Sequence, residues 1–249
     1  MDSTELAHLR LHRAPLVVGV VTEPATIERI VSSPPSPCPY DAVELRLDFF
    51  SREEQYSDGW LSFCRGLEEA GIPVILTVRL AGEGGRWKGS AAARRGLFAR
   101  GLGKVSAIDV ELASPLLPEV RRMIPRNSTK IIGSYHNFSS TPSFSDIRLV
   151  VSDARKDGVD IAKIATTITG LADIHTLREY LDRKRSYPLC IIGMGPRGAE
   201  TRISFPALGS LLAYGYIDEP TAPGQFSCVE LDARLRERIP SYRARKEGR

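Results

Sequence analysis

A lysine stands in the middle of an apolar run, at Lys163 of VDIAKIAT (159–166). Its neighbours Ile161, Ala162, Ile164 and Ala165 would strip water from the ammonium, and burial disfavours the charged form. A desolvated, partly neutral amine attacks ketones and gives a Schiff base. The same side chain could instead pair with a carboxylate such as Glu44 or Asp160, or carry its charge out past a strand end. His136 ends a second apolar run, KIIGSYH (130–136), where it serves either as a structural hydrogen bonder or as an acid–base group. In DAVELRLD (41–48), Glu44, Arg46 and Asp48 alternate, so all three share one side of a strand. Thr77 and Arg79 close IPVILTVR (72–79), and AGEGG with Glu83 follows. Arg202 lies in GMGPRGAETR, beyond the run PLCIIGM (188–194). Arginines and carboxylates gathered where solvent is limited make a costly core. They suit a small, anionic, hydroxyl-rich ligand.

The elements that would position these groups are short apolar runs separated by helix-like segments. To those above are added PLVVGVVT (15–22), VSAIDVEL (105–112) and a weaker SLLAYGY (210–216). Near-continuous Val/Ile/Leu runs indicate strands buried on both faces of a parallel sheet. Between them, SREEQYSDGWLSFCRGLEEAG (51–71) has helical character. So does SDIRLVVSDARKDG (145–158), with Ile147, Val150, Val151 and Ala154 on one face. A last helix spans about Gln225 to Arg238, with Val229 and Leu231 among its apolar positions. Eight strand–helix units predict a single-domain (β/α)8 TIM barrel with functional side chains at the C-terminal strand ends. An open doubly wound sheet is the runner-up. GMGPRG (193–198) follows a strand as a dinucleotide-binding turn would, but no suitably placed acidic residue closes a later strand.

Composition excludes several other classes. The chain has 249 residues and a formal charge of +4, with 42% hydrophobic and 26% charged residues. Residues 234–249 hold seven basic side chains against Glu237 and Glu247, so the preceding 233 residues sum to −1. The basicity belongs to the C-terminal end, which has one aromatic, Tyr242, and no recognition motif, so a nucleic-acid partner is not expected. No apolar run approaches the ~18–20 residues of a membrane span, and the N-terminus does not read as a secretory signal. Cys38, Cys64, Cys190 and Cys228 form no CxxC pair and suit a reducing cytoplasm. His8 and His12 are spaced like two ligands on a helix face, but no further ligands cluster with them, and no metal is expected.

VELRLDFF (43–50), LTVRLAGEGG (76–85), IGSYHNF (132–138), DIAKIATT (160–167) and GMGPRGAETR…YG…TAPGQ (193–225) together resemble type I 3-dehydroquinate dehydratases. The resemblance covers roughly residues 15–240, leaving an N-terminal extension (1–14) and a basic tail (241–249). It implies a cofactor-free lyase of the shikimate pathway, a homodimer acting on 3-dehydroquinate. Lys163 would form the imine, His136 would serve as base and then acid, and Glu83 would orient the imidazole and support its charged form. Arg202 would pair with the substrate carboxylate, while Glu44, Arg46, Arg79 and Gln225 would hold ring hydroxyls and organise one another's charges. Met194 would cover an apolar face of the ring, and the glycines Gly193, Gly195 and Gly198 would suit a mobile closing loop.

Two positions depart from the family's usual pattern. Thr221 stands where a serine is common, and Tyr214 where a phenylalanine is usual. Thr22 is a further candidate to face substrate. Another Schiff-base barrel, such as a class I aldolase, would explain Lys163 but not His136 and Glu83 with Arg202 and TAPGQ. A barrel that binds substrate without turning it over would have no use for Lys163 and His136.

Overall fold

The computed structural model describes Leu9 and residues 14–125, 128–183 and 187–248. His8 and His12 lie outside the described residues. The elements run β1 (Leu16–Val21), α1 (Pro24–Ser32), β2 (Ala42–Arg46), α2 (Arg52–Tyr56), α3 (Gly59–Glu69), β3 (Val74–Thr77) and α4 (Ala91–Gly101). They continue β4 (Ala107–Glu111), α5 (Leu117–Met123), β5 (Lys130–Asn137), α6 (Phe144–Lys156), β6 (Ile161–Thr167) and α7 (Leu171–Asp182). The chain ends β7 (Leu189–Met194), α8 (Thr201–Ala207), β8 (Leu212–Tyr216), α9 (Cys228–Arg238) and α10 (Pro240–Glu247).

All strand pairs are parallel, in the order β7-β6-β5-β4-β3-β2-β1-β8. A parallel pair needs a crossover, and the intervening helices supply it on the outside, giving the barrel that the alternating runs predict. Between β7 and β8 the seam is closed by Leu211 N–H donating to the Leu189 carbonyl at 2.8 Å. The Ser210 hydroxyl accepts from Ile191 N–H at 2.9 Å, standing in for a ladder bond.

Alternation sorts each strand into two cores. Outward side chains such as Val17, Val43, Leu76 and Ile164 pack under the helices. Inward Val18, Ala42, Ile75, Ala107, Ile132 and Ile161 fill the N-terminal half of the barrel, and Leu9 joins that cluster. Above this apolar layer the inward positions turn polar, with register setting Thr77 beside Asp109 and Ser134 beside Lys163. The barrel therefore has a dry floor and a charged mouth, the division that favours chemistry at the C-terminal end.

Several elements differ from the sequence expectation. The stretch 51–71 is two helices, because Ser51 and Glu54 form a reciprocal capping box over α2 and the chain turns before α3. Asp48 lies past the end of β2 in a short 3-10 turn rather than continuing the strand's alternation. Val229 is 69% exposed, because Cys228, Leu231 and Leu235 are the α9 residues that face the barrel. Residues 240–247 form α10, which docks at the N-terminal end of β2. Arg245 grips Asp41 with bonds of 2.7 and 2.8 Å, Lys246 adds a 3.1 Å ion pair, and Tyr242 is fully buried. Part of the C-terminal basicity is thus spent inside the fold.

Candidate active site

Strand ends and the loops just beyond them converge on an open-mouthed cavity. Lys163, His136, Glu83, Glu44 and Arg46 line it, as do Arg79, Met194, Arg202, Thr221 and Gln225. The ten residues given catalytic or substrate-binding roles above thus line one cavity, whereas Asp48 and Thr77 are not among its lining residues. Thr22 is not among the lining residues, and its amide donates to Asp218 at 3.0 Å.

Lys163 projects inward from β6 and is buried. Its Nζ donates to Asp109 Oδ2 at 3.0 Å and lies 3.6 Å from Glu44 Oε1. The Tyr214 ring centroid is 4.0 Å from Nζ, a cation–π distance. Desolvation alone is therefore not the lysine's environment, since two carboxylates and an aromatic face attend its charge. Glu44 is the nearer to expectation of the two carboxylates named from the sequence. Asp160 instead accepts from Ile131 N–H at 2.8 Å, because it precedes β6 at the wrong end of the barrel.

Asp109 is the main residue that sequence reasoning missed. It is wholly buried, and its Oδ1 accepts from Ser134 Oγ at 2.6 Å and pairs with Arg79 Nη2 at 2.7 Å. Those neighbours hold its carboxyl well below the usual range despite burial. The signal was the alternation of Asp109 and Glu111 in VSAIDVEL, the same pattern as Glu44 and Arg46 in β2. Arg79 also meets Glu111 at 3.1 Å, and Arg94 closes a further pair with Glu111 from α4. Arg46 is fixed by Asp48 through bonds of 2.9 and 2.8 Å, a bidentate fork.

His136 and Glu83 meet as expected, with Nδ1 2.9 Å from Glu83 Oε2. Glu83 reaches inward because the turn Ala81–Glu83 is followed by Gly84 at φ +77° and by Gly85. A Cβ on Gly85 would come within 2.2 Å of the Arg79 carbonyl oxygen, so the loop closes this tightly only with glycine. Phe138 stacks on the His136 ring at 6.2 Å and packs over Gly84 at the mouth. Burial, with Arg79 and Lys163 nearby, pushes the imidazole's pKa well below its ordinary value. Burial raises Glu83 to about 7. These surroundings favour the neutral imidazole over the charged one, the form a base requires.

These directions fix a pH dependence. Protonated Glu83 donates to Nδ1 and puts the ring hydrogen on Nε2. Ionised Glu83 accepts from Nδ1–H and leaves the Nε2 lone pair free. The kcat/KM of the wild type should therefore rise as pH increases through about 7. In Glu83→Gln that limb should disappear, leaving only the imidazole's own, well below an ordinary histidine's. A pH profile of both proteins checks this, and an unmoved limb in the variant contradicts it.

Arg202 on α8 is buried, yet no carboxylate lies within ion-pair distance among the described residues. Its guanidinium has only long bonds to the Tyr214 and Pro223 carbonyls, at 3.5 and 3.4 Å, and Nε has no partner. Burial alone lowers it to about 10. The other basic lining residues, Arg46, Arg79 and Lys163, all have carboxylates. A buried cation without a counter-ion costs stability and is positioned for an anion. Arg202→Met should accordingly not lower Tm, while raising KM about 10²- to 10³-fold for an anionic substrate. Calorimetry and steady-state kinetics together check the opposed effects.

Thr221 N–H and hydroxyl both donate to Gln225 Oε1, at 2.8 and 3.2 Å, which orients the amide at the mouth. Gly193, Gly195 and Gly198 have the G-x-G-x-x-G spacing of a dinucleotide turn but end β7 of a barrel. Here they allow close packing. A Cβ on Gly198 would meet the Gly193 backbone at 2.5 Å, and Gly195, at φ +83°, donates its N–H to the Pro223 carbonyl.

The family model for type I 3-dehydroquinase matches residues 21–239. The 3-dehydroquinate dehydratase of Methanothrix thermoacetophila is 37% identical over 198 residues, covering 79% of this chain and 81% of that protein. The enzyme of the same name from Thermodesulfovibrio yellowstonii is 34% identical, covering 77% and 82%. Among solved structures, 3-dehydroquinate dehydratase from Aquifex aeolicus superposes with a TM-score of 0.75 at 27% identity, over 90% of this chain and 98% of that one. The type I enzyme from Clostridium difficile reaches a TM-score of 0.81 at 24% identity, over 96% and 97%, a likeness of fold. With the match running from the last residue of β1 to just past α9, the chain belongs to the type I 3-dehydroquinase family.

Proposed function

We propose that this chain converts 3-dehydroquinate to 3-dehydroshikimate and water, the third step of the shikimate route to chorismate, through an imine on Lys163. The observation that carries the reading is the convergence, in one cavity, of a buried lysine, a carboxylate-oriented imidazole and a buried arginine without a counter-ion. The Lys163 amine attacks the C3 ketone, water leaves, and the iminium acidifies the adjacent C2–H. Neutral His136 takes the C2 proton, and the resulting enamine expels the C1 hydroxyl as His136 returns a proton to it. Water then hydrolyses the imine and frees the lysine.

In this reading Arg202 binds the substrate carboxylate in a bidentate manner. Glu44, Arg46, Arg79, Thr221 and Gln225 hold the ring hydroxyls and one another's charges, and Met194 covers an apolar face of the ring. No cofactor or metal enters any step. The four cysteines are free thiols, which supports a reducing cytoplasm. No helix among the described residues is long and apolar enough to cross a membrane. The family resemblance supports a homodimer, which light scattering on the purified protein would report directly. The test of the activity is simple: protein added to 3-dehydroquinate should generate the absorbance of an enone product. No absorbance gain at any enzyme concentration would sink the proposal.

A further inference from the structure

We propose that Asp109 is the counter-ion of the Lys163 iminium and keeps that imine protonated through the elimination, an inference that rests on the Schiff-base reading above. When an alkylammonium and a ketone condense, the products are an iminium and one water. The positive charge therefore stays on Nζ while its N–H count falls from three to one. A single N–H can serve one acceptor at hydrogen-bond distance. Asp109 Oδ2 is at 3.0 Å from Nζ and Glu44 Oε1 at 3.6 Å, so Asp109 keeps the bond. Asp109 cannot swing away, because Ser134 and Arg79 fix its other oxygen at 2.6 and 2.7 Å. Glu44, held at 2.7 Å by the Thr77 hydroxyl, is then free to turn its remaining capacity to substrate hydroxyls.

The surroundings leave this task to few groups. From β2 come Glu44 and Arg46, and from the segment after β3 come Arg79 and Glu83. Glu111 on β4 is taken up by Arg79 and Arg94. His136 on β5 is neutral, and the Cys190 thiol on β7 is pushed up to about 12 by burial, so neither carries charge near neutral pH. From β8 the Tyr214 ring contributes its face and a phenol that burial keeps un-ionised, while Arg202 on α8 adds a further cation. Against the guanidinium groups of Arg46, Arg79 and Arg202, the cation retained at Nζ needs an adjacent anion in a site of low dielectric. The imine acts as an electron sink only while it is protonated, so the counter-ion bears on the rate itself.

Borohydride trapping of wild-type protein with 3-dehydroquinate first establishes the imine. Asp109→Asn then keeps the shape and removes the charge. The alkaline limb of its kcat profile should move down by about one to three pH units. At about pH 8, kcat should fall at least tenfold more than at about pH 6, with a smaller change in KM. Glu44→Gln should change KM and leave that limb in place. An unmoved limb in Asp109→Asn that still traps the imine overturns the counter-ion role, as does an equal shift in Glu44→Gln. No trappable imine in wild type overturns the Schiff-base reading instead. If Asp109→Asn does not fold, the imine of wild-type protein labelled with 15N-lysine decides the matter. Its nitrogen shift should remain that of an iminium from about pH 6 to about pH 9, and a titration to the neutral imine within that range overturns the proposal.

Discussion

Replacing Lys163 by methionine should abolish turnover, with a loss of at least about 10⁴-fold in kcat, while the barrel still folds. Methionine preserves much of the stalk, which shares the cavity lining with Ala165, Ile192 and Tyr214, so the volume change is small. Asp109 keeps Arg79 and Ser134 as partners, so losing the ammonium does not strand its charge. Glu44 keeps the Thr77 hydroxyl. Circular dichroism and thermal melting should give a folded protein, and calorimetric titration should still detect ligand binding through Arg202. Retained turnover would mean that the elimination proceeds without an imine.

His136→Ala should separate the two halves of the reaction. The amine and its counter-ions are untouched, so some imine still forms and is trapped by borohydride. Proton removal from C2 and delivery to the leaving hydroxyl lose their carrier, which general acid–base catalysis values at about 10²- to 10⁴-fold, and kcat should fall at least that far. His136 is also the residue on which Phe138 stacks and to which Glu83 bonds, so the variant loosens the mouth without opening the core. Near wild-type turnover in His136→Ala would remove the imidazole from the mechanism.

How much of this site could be read from the sequence depends on which physical signal each residue left. Glu44 and Arg46 alternate in an apolar run, so strand parity put both on one side of β2. Lys163 inside an apolar run and His136 at the end of one were marked by their surroundings, which left structural and catalytic roles open. Glu83 and Arg202 were marked only by lying just beyond strand ends, and the resemblance supplied their roles together with Thr221 and Gln225, which lie in a loop where no periodicity marks them. Asp109 was missed because its pairing with Lys163 spans 54 positions and two strand registers, from β4 through β5 to β6. Asp48 was misplaced because the strand ends at Arg46, and period two has no meaning beyond it. The C-terminal segment looked like a solvated basic tail because its counter-charge, Asp41, is about two hundred residues away in sequence. Local patterns set the elements. Which charges meet inside the barrel is set by register, which local patterns do not contain.

The central claim is a covalent bond between Lys163 and the substrate. Protein incubated with 3-dehydroquinate and sodium borohydride, then digested and mapped by mass spectrometry, should carry one reduced adduct on the peptide containing Lys163 and lose activity in proportion. An unmodified protein that still turns over, or an adduct on a different lysine, would contradict the account.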